Sequence, residues 1–248
     1  MTTKAALIIG ASSPGGLGEA TARRLYKDGY AIKLAGRDMA RLESLGQELD
    51  ATVHRCDLAD EASIAALADE VGGISLLVNA AGSALGRSIL KISREEIDSQ
   101  LSLHVTANIL LLKHFGAVMA PGGSIVLFSS VVGKLAGAGI IAYSAAKAAL
   151  EHVVRVAAVE FGPLGLRVNA VAPGFACTPM TEGFLKDPRI SALYRGETVM
   201  GELTQPHQVA AAVSYLAAAD CYSTGEIVQV SGGAQLCRLP RKAELTAS

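Results

Sequence analysis

Seven short apolar runs alternate with helical patterns along this chain, and that alternation restricts the fold more than any other feature. Ala5–Ile9, Ala31–Leu34, Thr52–Arg55, Leu76–Val78, Ser124–Phe128, Arg167–Val171 and Ile227–Val230 read as buried strands. Between them, Leu17–Lys27, Met39–Leu49, Glu61–Glu70, Arg94–Met119, Ile141–Phe161 and Pro206–Ala218 carry helical periodicity. Such repetition implies βαβ units with right-handed crossovers. The expected fold is α/β, a Rossmann-type doubly wound parallel sheet with helices on both faces. Half the residues are hydrophobic but only 4% are aromatic. The core must therefore be built of Ala, Val, Ile and Leu, which suits helices packed closely on such a sheet.

No linker divides the 248 residues, so a single domain over 1–248 is expected. The one long irregular stretch, Phe175–Leu203, is rich in Gly, Pro, Thr and Met. It reads as a substrate loop or lid with one or two short helices. Residues 234–248 read as a C-terminal tail. Lys plus Arg (22) nearly balance Asp plus Glu (23), so no basic face for nucleic acid is expected. No charge-free run of about 20 apolar residues points to a membrane span. The N-terminal apolar run leads into a glycine loop rather than a secretory cleavage site. Cys56, Cys177, Cys221 and Cys237 lack the spacing of a zinc site or a disulfide framework, which fits a cytoplasmic location.

The first strand opens directly into Gly10-Ala11-Ser12-Ser13-Pro14-Gly15-Gly16-Leu17-Gly18, followed by a helix. Glycines let a pyrophosphate approach the backbone, and a helix N-terminus attracts its charge. After the second strand comes Gly36-Arg37. Gly36 leaves room and Arg37 can pair with a ribose 2′-phosphate, which favours NADP(H) over NAD(H). Asp57-Leu58 follows the third strand, where Asp57 can accept from an adenine amino group. Asn79-Ala80-Ala81-Gly82 ends the fourth with small residues, so a flat ligand can pass close to the backbone.

A proton-transfer set lies further on. Tyr143 and Lys147 are four residues apart in an Ala-rich helical segment and so share one face. Ser130 follows the fifth strand. A lysine charge about 4 Å from the phenol favours the phenolate by roughly 4 kcal/mol at an effective dielectric near 20. That draws Tyr143 toward working pH, while Ser130 can hold a substrate oxygen. The plainer alternative is a core tyrosine and a surface lysine.

Taken in order, these motifs resemble the short-chain dehydrogenase/reductases, and the resemblance spans nearly the whole chain. Its later markers are Asn169-Ala170-Val171-Ala172-Pro173-Gly174, Thr178-Pro179-Met180 and Val230-Ser231-Gly232-Gly233. The resemblance implies cofactor contacts by Gly10, Ser12, Ser13, Gly16, Leu17, Gly18, Arg37, Asp57, Leu58 and Asn79 through Gly82. Pro173, Gly174, Phe175 and Thr178 would border the nicotinamide. Tyr143 would be the acid–base, Lys147 would tune it and bind the nicotinamide ribose, and Ser130 would orient the substrate. The family is usually oligomeric through its central helices, so a homotetramer or dimer is implied. No metal is implied.

Two departures from the family pattern stand out. Five residues separate Gly10 from Gly16 where three are common, as in enoyl reductases of this fold. The asparagine that usually holds a relay water in the fourth long helix is replaced by His104, with Asn108 one turn later. His104 either holds that water and titrates near neutrality, or is a packed histidine bonded to a backbone carbonyl. The leading reading is an NADP(H)-dependent carbonyl reductase or alcohol dehydrogenase, a 3-oxoacyl reductase among its candidates. Reduction of an activated C=C bond fits less well with a Tyr–Lys spacing of four. A non-catalytic dinucleotide-binding regulator is the third reading. Phe184, Leu193, Tyr194 and Met200 suggest an apolar cavity wall, with Arg189 and Arg195 as loop cations.

Overall fold

The computed structural model describes residues 4–246; residues 1–3 and 247–248, counted above in the domain and its tail, lie outside the described residues. All seven expected strands form: β1 (Ala5–Ile9), β2 (Ala31–Gly36), β3 (Thr52–Arg55), β4 (Leu76–Asn79), β5 (Ser124–Phe128), β6 (Arg167–Pro173) and β7 (Ile227–Val230). They make one sheet in the order β3-β2-β1-β4-β5-β6-β7, every pair parallel. The helices are α1 (Leu17–Lys27), α2 (Met39–Leu49), α3 (Glu61–Val71), α4 (Arg94–Leu101), α5 (Ala107–Gly116), α6 (Ile141–Phe161), α7 (Pro179–Leu185), α8 (Pro188–Gly196), α9 (Pro206–Ala217) and α10 (Lys242–Thr246). Among the described residues no helix is long and apolar enough to cross a membrane.

The two-residue side-chain period of β1 explains its apolar run. Ala6 and Ile8 join Leu25, Leu42 and Val213 in a core under α1, α2 and α9. Leu7 and Ile9 face the other way, into a core with Ile64, Leu111, Phe115 and Leu150 under α3, α5 and α6. A strand buried on both faces must be apolar throughout.

The Phe175–Leu203 stretch holds two short helices, as expected, α7 and α8, each opened by a proline in its first turn. One expectation is corrected. The continuous helix expected over Arg94–Met119 ends at Gly116 and is interrupted by a π-helical turn, Ser102–Thr106, between α4 and α5. Within it, the Ala107 N–H bonds the carbonyl of Ser102, five residues back. The Asn108 side chain supplies the physical reason: its Nδ2 donates to the carbonyl of His104 at 2.9 Å. A side chain inserted into the backbone ladder displaces it locally, and apolar periodicity does not register one extra residue in a turn.

Backbone rests on backbone where β1 turns into α1. A Cβ on Gly10, whose φ is +90°, would lie 2.4 Å from Ala81 N, and one on Gly18 would lie 2.2 Å from Gly10 O. Both approaches require glycine. Gly15 is different: it has φ +71° but open space around it, a position that asparagine tolerates. Gly18→Ala is therefore expected to lower stability by about 3 kcal/mol, roughly 10 °C in Tm. Gly15→Asn should leave Tm within about 2 °C. Thermal unfolding followed by circular dichroism checks both.

Candidate active site

Parallel strands end at one edge of the sheet, and the loops there form the site. β1 and β4 are neighbours, yet α1 packs on one face and α5 on the other. The chain therefore diverges between them, and the crevice that results is where open α/β sheets take ligands. One wall is the glycine loop. Its α1 N-terminus carries no side-chain cap, so backbone N–H groups face the crevice. One loop N–H, that of Gly15, donates to Glu19 Oε2 at 2.6 Å. The carbonyl of Ser13 accepts from Gly16 N at 2.9 Å, leaving the Ser12 and Ser13 hydroxyls toward the half-exposed surface of the loop.

At the end of β2, Arg37 is exposed and makes no ion pair among the described residues. The adjacent acid, Asp38, is committed: it caps α2 through Arg41 N and pairs with the Arg41 side chain at 3.4 Å. Arg41 is a second cation near this strand end, one that the sequence reading missed. Asp57 accepts from Ala59 N at 3.0 Å with one oxygen, and Leu58 packs into the core. The Asn79 side chain is engaged inside the protein at both its amide nitrogen and its amide oxygen. It donates to Asn108 Oδ1 at 2.9 Å and accepts from Ala81 N at 3.1 Å. Ala80, Ala81 and Gly82 then line the crevice with backbone.

Ser130, Tyr143 and Lys147 do meet. Ser130 sits two residues beyond β5, capping a 3-10 turn by accepting from Val132 N at 3.4 Å. Its hydroxyl is also near enough to the Tyr143 phenol to favour the ionised form. Tyr143 and Lys147 share the buried face of α6, with Nζ 5.6 Å from the phenol ring centre. Nζ donates to the Phe128 carbonyl at 2.6 Å, a backbone partner without a sequence signal.

The electrostatics correct the sequence expectation. Burial holds the Tyr143 phenol above its ordinary value, with the Ser130 bond pulling weakly the other way. Complete burial instead drives Lys147 down to about 7. Desolvation falls on both groups, and for the lysine it outweighs any gain from its neighbours.

His104 lies in the π turn at 1% exposure. Its ring meets Tyr143 edge-on, 5.3 Å between centres. Nε2 donates to the Ser83 carbonyl at 2.8 Å. Burial first, and the Lys147 charge second, lower it to about 4. It is therefore neutral at working pH, and the expectation that it titrates near neutrality fails. Asn108 is held entirely within the protein, between Asn79 and the His104 carbonyl.

The far wall comes from β6 and the lid. Pro173 ends β6, and Gly174 N–H donates to the Val230 carbonyl at 3.0 Å. Phe175 stacks on Tyr194 of α8 at 3.8 Å, pinning the lid to the strand end. Thr178 caps α7 jointly with Thr181. Arg189 binds the carbonyls of Glu244 and Leu245, so it is tied to the tail. Arg238 bridges Glu197 beside α8 and Glu244 of α10, each at 2.8 Å.

A family described as "Enoyl-(Acyl carrier protein) reductase" matches residues 10–235. A short-chain dehydrogenase from Burkholderia cenocepacia, solved with NADP, superimposes with a TM-score of 0.85 at 28% identity, covering 93% of this chain and 97% of that one. The chain belongs to the short-chain dehydrogenase/reductase family. Among its relatives, a cis-4-hydroxycyclohexanecarboxylate dehydrogenase of Sinomonas cyclohexanicum is 37% identical over 93% of this chain and 96% of its own. A 3-oxoacyl-[acyl-carrier-protein] reductase of Rickettsia felis is 32% identical over 94% and 97%. The nicotinamide dinucleotide of this oxidoreductase family fits the residues present. The helix end is uncapped, and at Gly10 and Gly18 no side chain can intrude.

Lys147 makes the site's cost measurable. Its amine is held at about 7 in the fold and near 10.4 in an unfolded chain. Between those values the unfolded chain binds the extra proton, so stability rises with pH; below 7 the full burial cost remains. Lys147→Met should unfold at a higher temperature than wild type near pH 6. The gap should narrow as pH is raised to about 9.5, and a gap that does not change with pH would overturn the assignment.

Proposed function

We propose that the chain is an NADP(H)-dependent oxidoreductase that interconverts a carbonyl compound and a secondary alcohol. The observation that carries this reading is the meeting of Ser130, Tyr143 and Lys147 at the mouth of the crevice. The relatives' names support it, since 3-oxoacyl reduction and hydroxycyclohexane oxidation both concern a ketone–secondary alcohol couple. When bound, the nicotinamide supplies or accepts the hydride.

The remaining work falls to the chain's own residues. The glycine loop and the α1 N-terminus hold the pyrophosphate; the unpaired Arg37, with Asp38 occupied elsewhere, favours a 2′-phosphate. Ser130 holds the substrate oxygen against the Tyr143 phenol. In reduction Tyr143 donates its proton to that oxygen; in oxidation it withdraws it. Held above its ordinary value, the phenol is protonated near neutrality, which is the form that reduction starts from. Lys147, close to 7, can exchange protons in that range. The lid, with Phe175 and Leu193 half-buried, offers an apolar wall that limits water. Exposed Ile109, Val156 and Val159 on α5 and α6 suit a homo-oligomer of the family's kind.

Reduction of a C=C bond is the second reading, favoured by the description of the matched family and by the lengthened glycine loop. Product analysis separates the two: the first gives an alcohol, the second a saturated carbonyl compound.

Tyr143→Phe is expected to cut turnover by about 100-fold or more while NADPH still quenches or enhances fluorescence on binding. Turnover equal to wild type on every substrate of a ketone, aldehyde, quinone and thioester panel would sink the mechanism. Arg37→Ala should raise KM for NADPH about tenfold or more and leave that for NADH nearly unchanged. Equal effects on the two cofactors would remove the case for NADP(H).

A further inference from the structure

Tyr143, Lys147 and Glu151 follow one another at four-residue spacing along one side of α6. The first two carry the chemistry. Glu151, one turn further along, is only 4% exposed. A buried carboxylate is costly unless it is bonded, and an apolar side chain of its size often suits a fold as well or better. Its partner is Ser129, equally buried, whose Oγ donates to Glu151 Oε1 at 3.0 Å. On the outer side Oε2 lies 3.7 Å from the half-exposed Arg155.

Ser129 immediately precedes Ser130. Its N–H donates to the Val171 carbonyl of β6 at 2.8 Å, so the residue is tied to β6 by its main chain and to α6 by its side chain. The same carboxylate abuts the far end of the turn that Ser130 caps. A Cβ on Gly133 would lie 2.8 Å from Glu151 Oε1, which closes that place to any side chain. Two more bonds fasten this segment to α6: Lys147 Nζ to the Phe128 carbonyl at 2.6 Å, and Ser144 Oγ to the Val132 carbonyl at 2.5 Å. Ser130 lies between these anchors. Its own bond from Val132 N is long, 3.4 Å, and holds the hydroxyl only loosely.

We propose that Glu151 is a positioning residue: by gripping Ser129 it sets where the Ser130 hydroxyl stands relative to Tyr143. The inference rests on the carbonyl–alcohol reading above and deepens it. Tyr143 and Glu151 belong to one continuous helix. A tie from Glu151 to the residue before Ser130 therefore fixes the separation of the two groups that must hold one substrate oxygen. No bond is made or broken at Glu151, and it touches neither substrate nor cofactor. The effect is on geometry, and a misplacement of about 1 Å at a reacting centre can cost about 100-fold in rate.

Three variants separate this role from a bond that only braces the fold. Glu151→Gln keeps an oxygen at the place of Oε1, so its kcat should stay within about threefold of wild type. Glu151→Met fills the volume without an acceptor and should lose at least about tenfold in kcat. Ser129→Ala combined with Glu151→Met removes both partners at once, a change that folds tolerate, so its Tm should stay within about 3 °C. The double variant should nevertheless lose at least about tenfold in kcat with KM for NADPH unchanged. Wild-type turnover in the double variant, or a Gln variant as slow as the Met variant, would overturn the proposal. A Tm lowered by about 10 °C together with a raised KM for NADPH would make the pair a brace and overturn it equally. Amide hydrogen exchange in the resting protein needs no turnover, so it judges the proposal even if the proposed reaction fails. The Gly133, Lys134 and Leu135 amides donate to the Ser130 and Val131 carbonyls. They should exchange at least about tenfold faster in the double variant and at the wild-type rate in Glu151→Gln. Unchanged exchange in the double variant excludes the role.

Discussion

The contact of main chain on main chain beneath the glycine loop sets the geometry on which everything else rests. Gly10 touches the strip after β4, and Gly18 touches Gly10. These approaches bring α1 down onto the sheet and place its uncapped N-terminus beside the β1–β4 divergence. Any side chain at either glycine would lift the helix away. The same closeness keeps Ala80 and Ala81 flush with the crevice floor, so the dinucleotide-binding half of the cleft is built from backbone.

The reactive half depends on a polar chain running through the interior. Asn79 holds Asn108, Asn108 holds the His104 carbonyl, and His104 holds Ser83. This chain converts a straight helix into α4, a π turn and α5, and turns an imidazole edge toward Tyr143. Buried groups tied by hydrogen bonds in this way fix one arrangement of their neighbours.

The sheet was legible because a strand buried on both faces has to be largely apolar, as β1, β4 and β5 in its middle are, while the edge strands β3 and β7 are only partly buried and carry polar residues. The glycine loop and the Tyr143–Lys147 spacing were legible because local geometry dictates them. The π turn was not, since it arises from one side chain reaching a carbonyl four residues away, a bond that leaves no periodic trace. The balance of charge at Tyr143 was misjudged for a related reason. Spacing tells which groups are near, but the protonation of Tyr143 and Lys147 follows from how much protein surrounds them. The partners that matter, the Phe128 and Ser83 carbonyls, are main-chain atoms that every residue has. The two short helices of the lid fit its prolines, since Pro179 and Pro188 stand in first turns, where their missing N–H costs nothing.

The sheet order has a consequence for how the molecule is made. α1 packs against α9, and the β6 end of the cleft is bonded to β7 through Gly174 and Val230. The earliest and latest stretches of the chain thus cover one another. As the protein leaves the ribosome, α1 can settle on β1, β2 and α2, but the part of it that meets α9 waits uncovered until residues beyond 206 have been synthesised. The cleft is therefore complete only once the last strand and α9 are in place.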